Sequence, residues 1–150
     1  MAVDAETKAR MQKWADGKAT LKDVRGYTPE QLYAVARTGY FFYYQGKLDE
    51  ARTIFQGLYA VDPTDAYVAK AMAVVELASG NTQGALGAYD VAIKLDPNDS
   101  MAYVSRAEVK IALGQRSAAG EDLRAARRLA DPSSDIFAKA SAMLEILSKK

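Results

Sequence analysis

The chain repeats itself every 34 residues. Gly46, Gly80 and Gly114 keep that interval, and so do Ala51, Ala85 and Ala119, then Phe55, Tyr89 and Leu123, then Val61, Leu95 and Leu129. Pro63 and Pro97 follow the same spacing, and Pro132 falls one residue late. Each period reads as a helix, a turn at the glycine, a second helix and a stop at Asp-Pro. Glycine suits the left-handed residue that ends a helix, and proline pushes the residue before it out of helical geometry. Columns that hold register over three copies confine the chain to a stack of helical hairpins, each burying its apolar face against its neighbours.

A 34-residue period with this content is the signature of the tetratricopeptide repeat. The expected fold is all-α: three tandem tetratricopeptide repeats in a right-handed superhelix, with an N-terminal helix and a C-terminal capping helix. The expected boundaries are 1–27 for an N-terminal helical extension, 28–65, 66–99 and 100–132 for the repeats, and 133–150 for the cap, all within one domain. A coincidental helical bundle is the competing architecture.

Local signals mark the helix ends. A short, weakly amphipathic helix spans Asp4 to about Trp14 and ends at Asp16-Gly17-Lys18. Thr20 can cap one further turn, with Asp23 as its reciprocal partner. Thr28 can cap the next helix, with Pro29 at the first helical position and Gln31 completing the pair. That helix runs to about residue 45 and its partner covers 48–60. Asp65 caps the second pair, 66–79 and 82–95, and the third pair is 100–113 and 116–130. Ser134 or Asp135 opens a last helix to about Leu147, in which Ile136, Phe137, Ala140, Met143, Leu144 and Leu147 recur at helical spacing.

Composition removes most catalytic chemistry. The sequence has no cysteine and no histidine, so thiol nucleophiles, a Ser-His-Asp arrangement and the commonest metal ligands are absent. No glycine-rich phosphate loop is present, because the glycines sit at repeat turns. The loop Asp96-Pro97-Asn98-Asp99 lacks the glycine and distal glutamate of a calcium loop. The expectation is no enzyme, no cofactor and no metal. A formal net charge of +1 argues against a general nucleic-acid binder. The first residues lack the apolar run of a secretory signal, and no stretch approaches a membrane span, so a cytoplasmic protein is expected. Arg124, Arg127 and Arg128 near the end of one helix read as a solvated basic terminus.

The informative pattern lies on the first helix of each repeat. Positions 4, 8 and 11 should pack: Val35, Gly39 and Phe42; Ala69, Ala73 and Glu76; Tyr103, Ala107 and Lys110. Glu76 and Lys110 replace expected apolar residues, so looser packing is expected there. The neighbouring stripe, at positions 5, 9, 12 and 13, shares one face. It holds Ala36, Tyr40, Tyr43 and Tyr44, then Lys70, Val74, Leu77 and Ala78, then Val104, Glu108, Ile111 and Ala112. Only Lys70 and Glu108 are charged. Exposed apolar surface of this kind marks a binding face, and tyrosine gives contact area with a polar tip at low entropic cost. The alternative is that the tyrosines pack beneath the N-terminal helix.

Three stretches carry a family resemblance. They are Gly17-Lys18-Ala19-Thr20-Leu21-Lys22-Asp23-Val24, the segment from Tyr40 through Gly46-Lys47-Leu48 and Glu50-Ala51 to Phe55 and Leu58, and Ser141-Ala142-Met143-Leu144-Glu145-Ile146. With three repeats between a short head and tail, the chain resembles the class II chaperones of bacterial type III secretion. The resemblance implies a cytoplasmic protein that binds and masks hydrophobic translocator proteins before export. In that family the stripe lines a concave groove that takes an extended Pro-x-Leu-x-x-Pro segment. The implied peptide-binding residues are Tyr33, Ala36, Tyr40, Tyr43, Tyr44, Tyr67, Lys70, Val74, Leu77, Val104 and Glu108. Ala36 replaces an aromatic residue common there, and Tyr33 or Tyr44 lies close enough in sequence to compensate. The family also pairs through its N-terminal region, which implies Met11, Trp14 and Leu21 in a homodimer. A general repeat scaffold or co-chaperone is the alternative, although a carboxylate clamp would need Lys and Asn where Ala36 and Tyr40 stand.

Overall fold

The computed structural model describes residues 3–149. Among them are nine helices and no strand: α1 Ala5–Ala15, α2 Leu21–Arg25, α3 Pro29–Tyr44, α4 Leu48–Val61, α5 Ala66–Ala78, α6 Thr82–Leu95, α7 Ser100–Ala112, α8 Arg116–Leu129 and α9 Asp135–Ser148. The all-helical expectation is met, and the helix ends fall close to where the caps place them.

The caps act as their chemistry requires. Thr20 with Asp23, and Thr28 with Gln31, each form a reciprocal capping box, and Pro29 opens α3. Asp4 caps α1 by accepting from the Thr7 N–H, Asp99 caps α7 and Ser134 caps α9. The turn glycines Gly46, Gly80 and Gly114 take φ of 74°, 81° and 76°, where a β-carbon would be strained.

The chain divides after Val68 into two compact units. The division falls inside the first turn of α5, just past the repeat boundary expected at 65. In the first unit, α3 packs antiparallel to α4, and α2 reaches the end of α4 through Lys22, whose Nζ donates to Asp62 at 3.2 Å. Ala51, Phe55 and Leu58 on α4 are buried. Phe55 sits against Gly39, where an added β-carbon would lie 2.7 Å from the Phe55 Cζ.

The second unit has two apolar clusters. Ala73, Ala85, Tyr89 and Val109 join α5, α6 and α7. Val104, Ala107, Ala119, Leu123, Ala126 and Ala140 join α7, α8 and α9. Beside the second cluster lies an ionic group that sequence reasoning missed. Asp122 is buried and accepts from Arg106 Nη2 at 2.6 Å and from Lys110 Nζ at 2.8 Å. Lys110 is therefore not a site of loose packing, as its position suggested; its ammonium is used by a carboxylate one helix away. Glu76 likewise accepts from the Asn81 amide at 2.7 Å. Hydrogen bonds to Asp122 hold the Arg106 guanidinium even further above its ordinary value, against the pull of burial.

Candidate functional site

The first unit carries a connected set of aromatic rings. Tyr40 is its hub. Its ring lies 5.1 Å from Phe55, 6.5 Å from Tyr43, 6.4 Å from Tyr44 and 6.1 Å from Tyr67. Tyr67 also meets Tyr33 edge-on at 5.8 Å, and Tyr43 meets Tyr44 at 5.2 Å. Edge-to-face and offset pairs of this kind add about 0.5–1.5 kcal/mol beyond area burial.

Local structure explains the arrangement. Residues 33, 36, 40, 43 and 44 fall on adjoining turns of α3 and share one side of it. Phe55 enters from α4 because Gly39 leaves room for its ring, and this fixes Tyr40 from below. Tyr67 comes from the first turn of α5. The outer edge stays open: Tyr44 is 81% exposed, Tyr33 and Tyr67 are exposed, and Tyr40 and Tyr43 are half-buried. The result is an apolar, ring-rich patch with hydroxyl tips, anchored on a wholly buried phenylalanine.

The structure therefore gathers five of the sequence-derived candidates, Tyr33, Tyr40, Tyr43, Tyr44 and Tyr67, into one patch. It closes two others. Ala36 is 2% exposed, because Tyr33 and Tyr40 flank it one turn to either side and Tyr67 meets both rings. Val104 is 1% exposed, consumed by the α7–α8–α9 cluster. Glu108 remains open but pairs with Lys139 of α9 at 2.6 Å, and Ile111 packs against the same cluster. The capping helix thus engages Val104, Ile111 and the Glu108 carboxylate of the third repeat's stripe, which was expected to be open, and leaves Ala112 exposed. In the second repeat Leu77 is exposed and Val74 half-buried. Lys70 is engaged: its Nζ lies 2.5 Å from Asp99. Burial pushes the Asp99 carboxyl up, but hydrogen bonds from Lys70 and from the Ala102 N–H outweigh it and hold the group below its ordinary value.

Two further grooves lie in the first unit. Val35, expected to pack, is 46% exposed and lines a groove of about 540 Å³ with Tyr27, Leu32, Ile54, Leu58 and Val61. No residue of α1 or α2 lines this groove. Met11, Trp14 and Leu21 come together around a second groove of about 410 Å³ with Val24 and Arg25. Trp14 is half exposed there, and the α1 helix buries none of its residues. Among the described residues no three His, Cys, Asp or Glu side chains gather as a metal site. No helix among them is long and apolar enough to cross a membrane.

Residues 29–65 match the tetratricopeptide repeat family. SicA, a chaperone protein of Salmonella typhimurium, is 37% identical over 81 residues, which is 54% of this chain. The chain spans about half the length of these curated relatives, 49% in the case of SicA. A type III secretion system complex from Aeromonas hydrophila matches with a TM-score of 0.84 and 26% identity, over 94% of this chain and 95% of that one. Pseudomonas aeruginosa PcrH, solved with the chaperone binding region of PopB, is 30% identical with a TM-score of 0.73. That match covers 79% of this chain and 98% of PcrH. The chain belongs to the tetratricopeptide-repeat chaperones of type III secretion. The patch of this type III secretion chaperone is a run of tyrosines, Tyr40, Tyr43 and Tyr44, with Tyr33 and Tyr67 closing over the small Ala36.

Proposed function

We propose that this protein is a cytoplasmic chaperone that binds and masks an apolar segment of type III secretion translocators before export, with the tyrosine patch of α3 and α5 as its anchor face. The observation that carries the reading is the match to PcrH, over 79% of this chain and 98% of that one, a relative solved with the chaperone binding region of PopB. The exposed rings supply a physical means. Burying one large side chain against them is worth about 1.5–3 kcal/mol. Two or three such contacts, less the ordering of the bound segment, give affinities around micromolar. No catalytic step belongs to this role: the protein hides surface that would otherwise aggregate or insert in a membrane.

Co-expression with a type III secretion translocator, followed by native mass measurement, tests the reading. The wild-type chain should carry a translocator through purification. Tyr43→Glu should fold and lose it. Retention of the translocator by that variant would remove the patch from the account.

The same reading includes a homodimer through the Met11–Trp14–Leu21 groove. The support is that the exposed Met11 and Trp14 and the half-buried Leu21 converge on one cleft. Trp14→Glu should shift the sedimentation of the free protein toward monomer, and an unchanged profile would exclude this face.

A further inference from the structure

Four arginines cluster on α8 in the second unit. Arg116, Arg124, Arg127 and Arg128 are exposed, and none has an ion-pair partner among the described residues. Most other cations of the unit are committed: Lys70, Lys110, Lys139 and Lys149 each hold a carboxylate and Arg106 holds two, while Lys94 on α6 stands alone among the described residues. At 3.6 residues per turn the four arginines fall within an arc of about 120°. The helix dipole accounts for cations in the last turn, where Arg127 and Arg128 sit. It does not account for Arg116, the first residue of α8, where the dipole disfavours positive charge.

Beside this arc α8 meets α9. Arg116, Ser117, Gly120 and Arg124 on one side, with Leu144 and Leu147 on the other, enclose a groove of about 260 Å³. The Arg124 guanidinium lies over Gly120, where a β-carbon would come within 3.4 Å of its Nη1. Arg116 Nη2 donates to the Leu147 carbonyl at 3.3 Å, using one of its five N–H donors and setting the guanidinium at the rim.

We infer that this α8–α9 groove docks an acidic segment of a partner protein, with Asp or Glu carboxylates on Arg116 and Arg124 and an apolar side chain on Leu144 and Leu147. Guanidinium groups match carboxylates in two-pronged geometry and give up hydration more readily than ammonium groups. A nucleic acid fits less well, because the chain lacks the basic excess of a phosphate binder and Leu144 and Leu147 line part of the groove. The site uses none of the tyrosines, so it stands independently of the chaperone reading.

A labelled peptide of sequence Glu-Glu-Leu-Glu-Glu-Leu, blocked at both ends, tests this by fluorescence anisotropy at low salt. Its Gln-for-Glu counterpart and a single-stranded oligonucleotide serve as comparisons. The acidic peptide should bind the full chain. It should bind roughly tenfold more weakly to the Arg116→Gln/Arg124→Gln variant, as expected for loss of charge-assisted contacts, and normally to Tyr43→Glu. No binding of the acidic peptide at millimolar concentration would overturn the inference. So would equal binding of the Gln peptide, an unchanged affinity in the arginine variant, or tighter binding of the oligonucleotide. The Gln-peptide comparison does not depend on any variant folding.

Discussion

The ring of Phe55 occupies the space that a side chain at Gly39 would need. A β-carbon at 39 would lie 2.7 Å from the Phe55 Cζ and 2.9 Å from its Cε2, and Phe55 is wholly buried. Two effects oppose each other at this position. Replacing glycine by alanine inside a helix gains up to about 1 kcal/mol of propensity. Forcing a methyl into a filled core costs about 1–3 kcal/mol. The ring has nowhere to retreat, so the second effect wins. Gly39→Ala should lower the urea midpoint, whereas Gly87→Ala, in a helix with nothing within 4 Å of its added methyl, should raise it.

Tyr44 separates binding from folding. At 81% exposed it buries little area, and its ring pairs with Tyr40 and Tyr43 lie at the solvent edge, so Tyr44→Ala should cost no more than about 1 kcal/mol of unfolding free energy. Loss of its contact area should weaken translocator binding by roughly 1–2 kcal/mol, about five- to thirtyfold. Calorimetric titration of the purified translocator segment, beside a melting curve, measures both.

Asp122 is the costliest charge to remove. Asp122→Ala strands the Lys110 ammonium against a buried face and leaves Arg106 with Asp90 alone, and breaking one side of such a group typically costs about 3–5 kcal/mol. Adding Arg106→Met and Lys110→Met to it should recover much of the loss, because an apolar replacement no longer leaves charge without a partner. Chemical denaturation of the single and triple variants checks both halves of the claim.

Acid should weaken the protein through two loop aspartates. Burial pushes the Asp62 carboxyl up, but hydrogen bonds from Thr64 and Lys22 outweigh it and hold it low; Asp99 is held low in the same manner. Both carboxyls titrate lower in the folded chain than the ordinary value of about 3.9. The stability they contribute is present above that value and disappears as pH falls through their folded values. Asp62→Asn and Asp99→Asn should each flatten the urea midpoint plotted against pH below about 4. Lys22 behaves in the opposite sense. Its hydrogen bond to Asp62 raises it, so its contribution holds at neutral pH and is lost only in strong alkali.

Helix ends were the most legible part of this fold. Thr20 and Thr28 announce their capping boxes three residues ahead, and the turn glycines announce left-handed backbone, because both depend on neighbours within four or five positions. The tyrosine run was legible as a face for the same reason. What the periodicity could not show was which members of that face stay open. Ala36 and Tyr40 occupy equivalent faces of α3, yet one is sealed and the other half-open, because Tyr67, far along the chain, meets the rings on either side of Ala36. Val104 disappears under α9 in a contact that no local pattern encodes. Asp122 reads as a surface acid on a strongly amphipathic helix, and only the arrival of Arg106 and Lys110 from α7 makes its burial affordable.

Tyr67 also decides what could be moved from this protein to another. Its ring contacts both Tyr33 and Tyr40, yet it belongs to the hairpin after theirs. A transplant of residues 28–65 would carry the hub without its lid. Extending the donor fragment to residue 68 takes in the missing ring, so the smallest portable recognition element is one hairpin and the opening turn of the next.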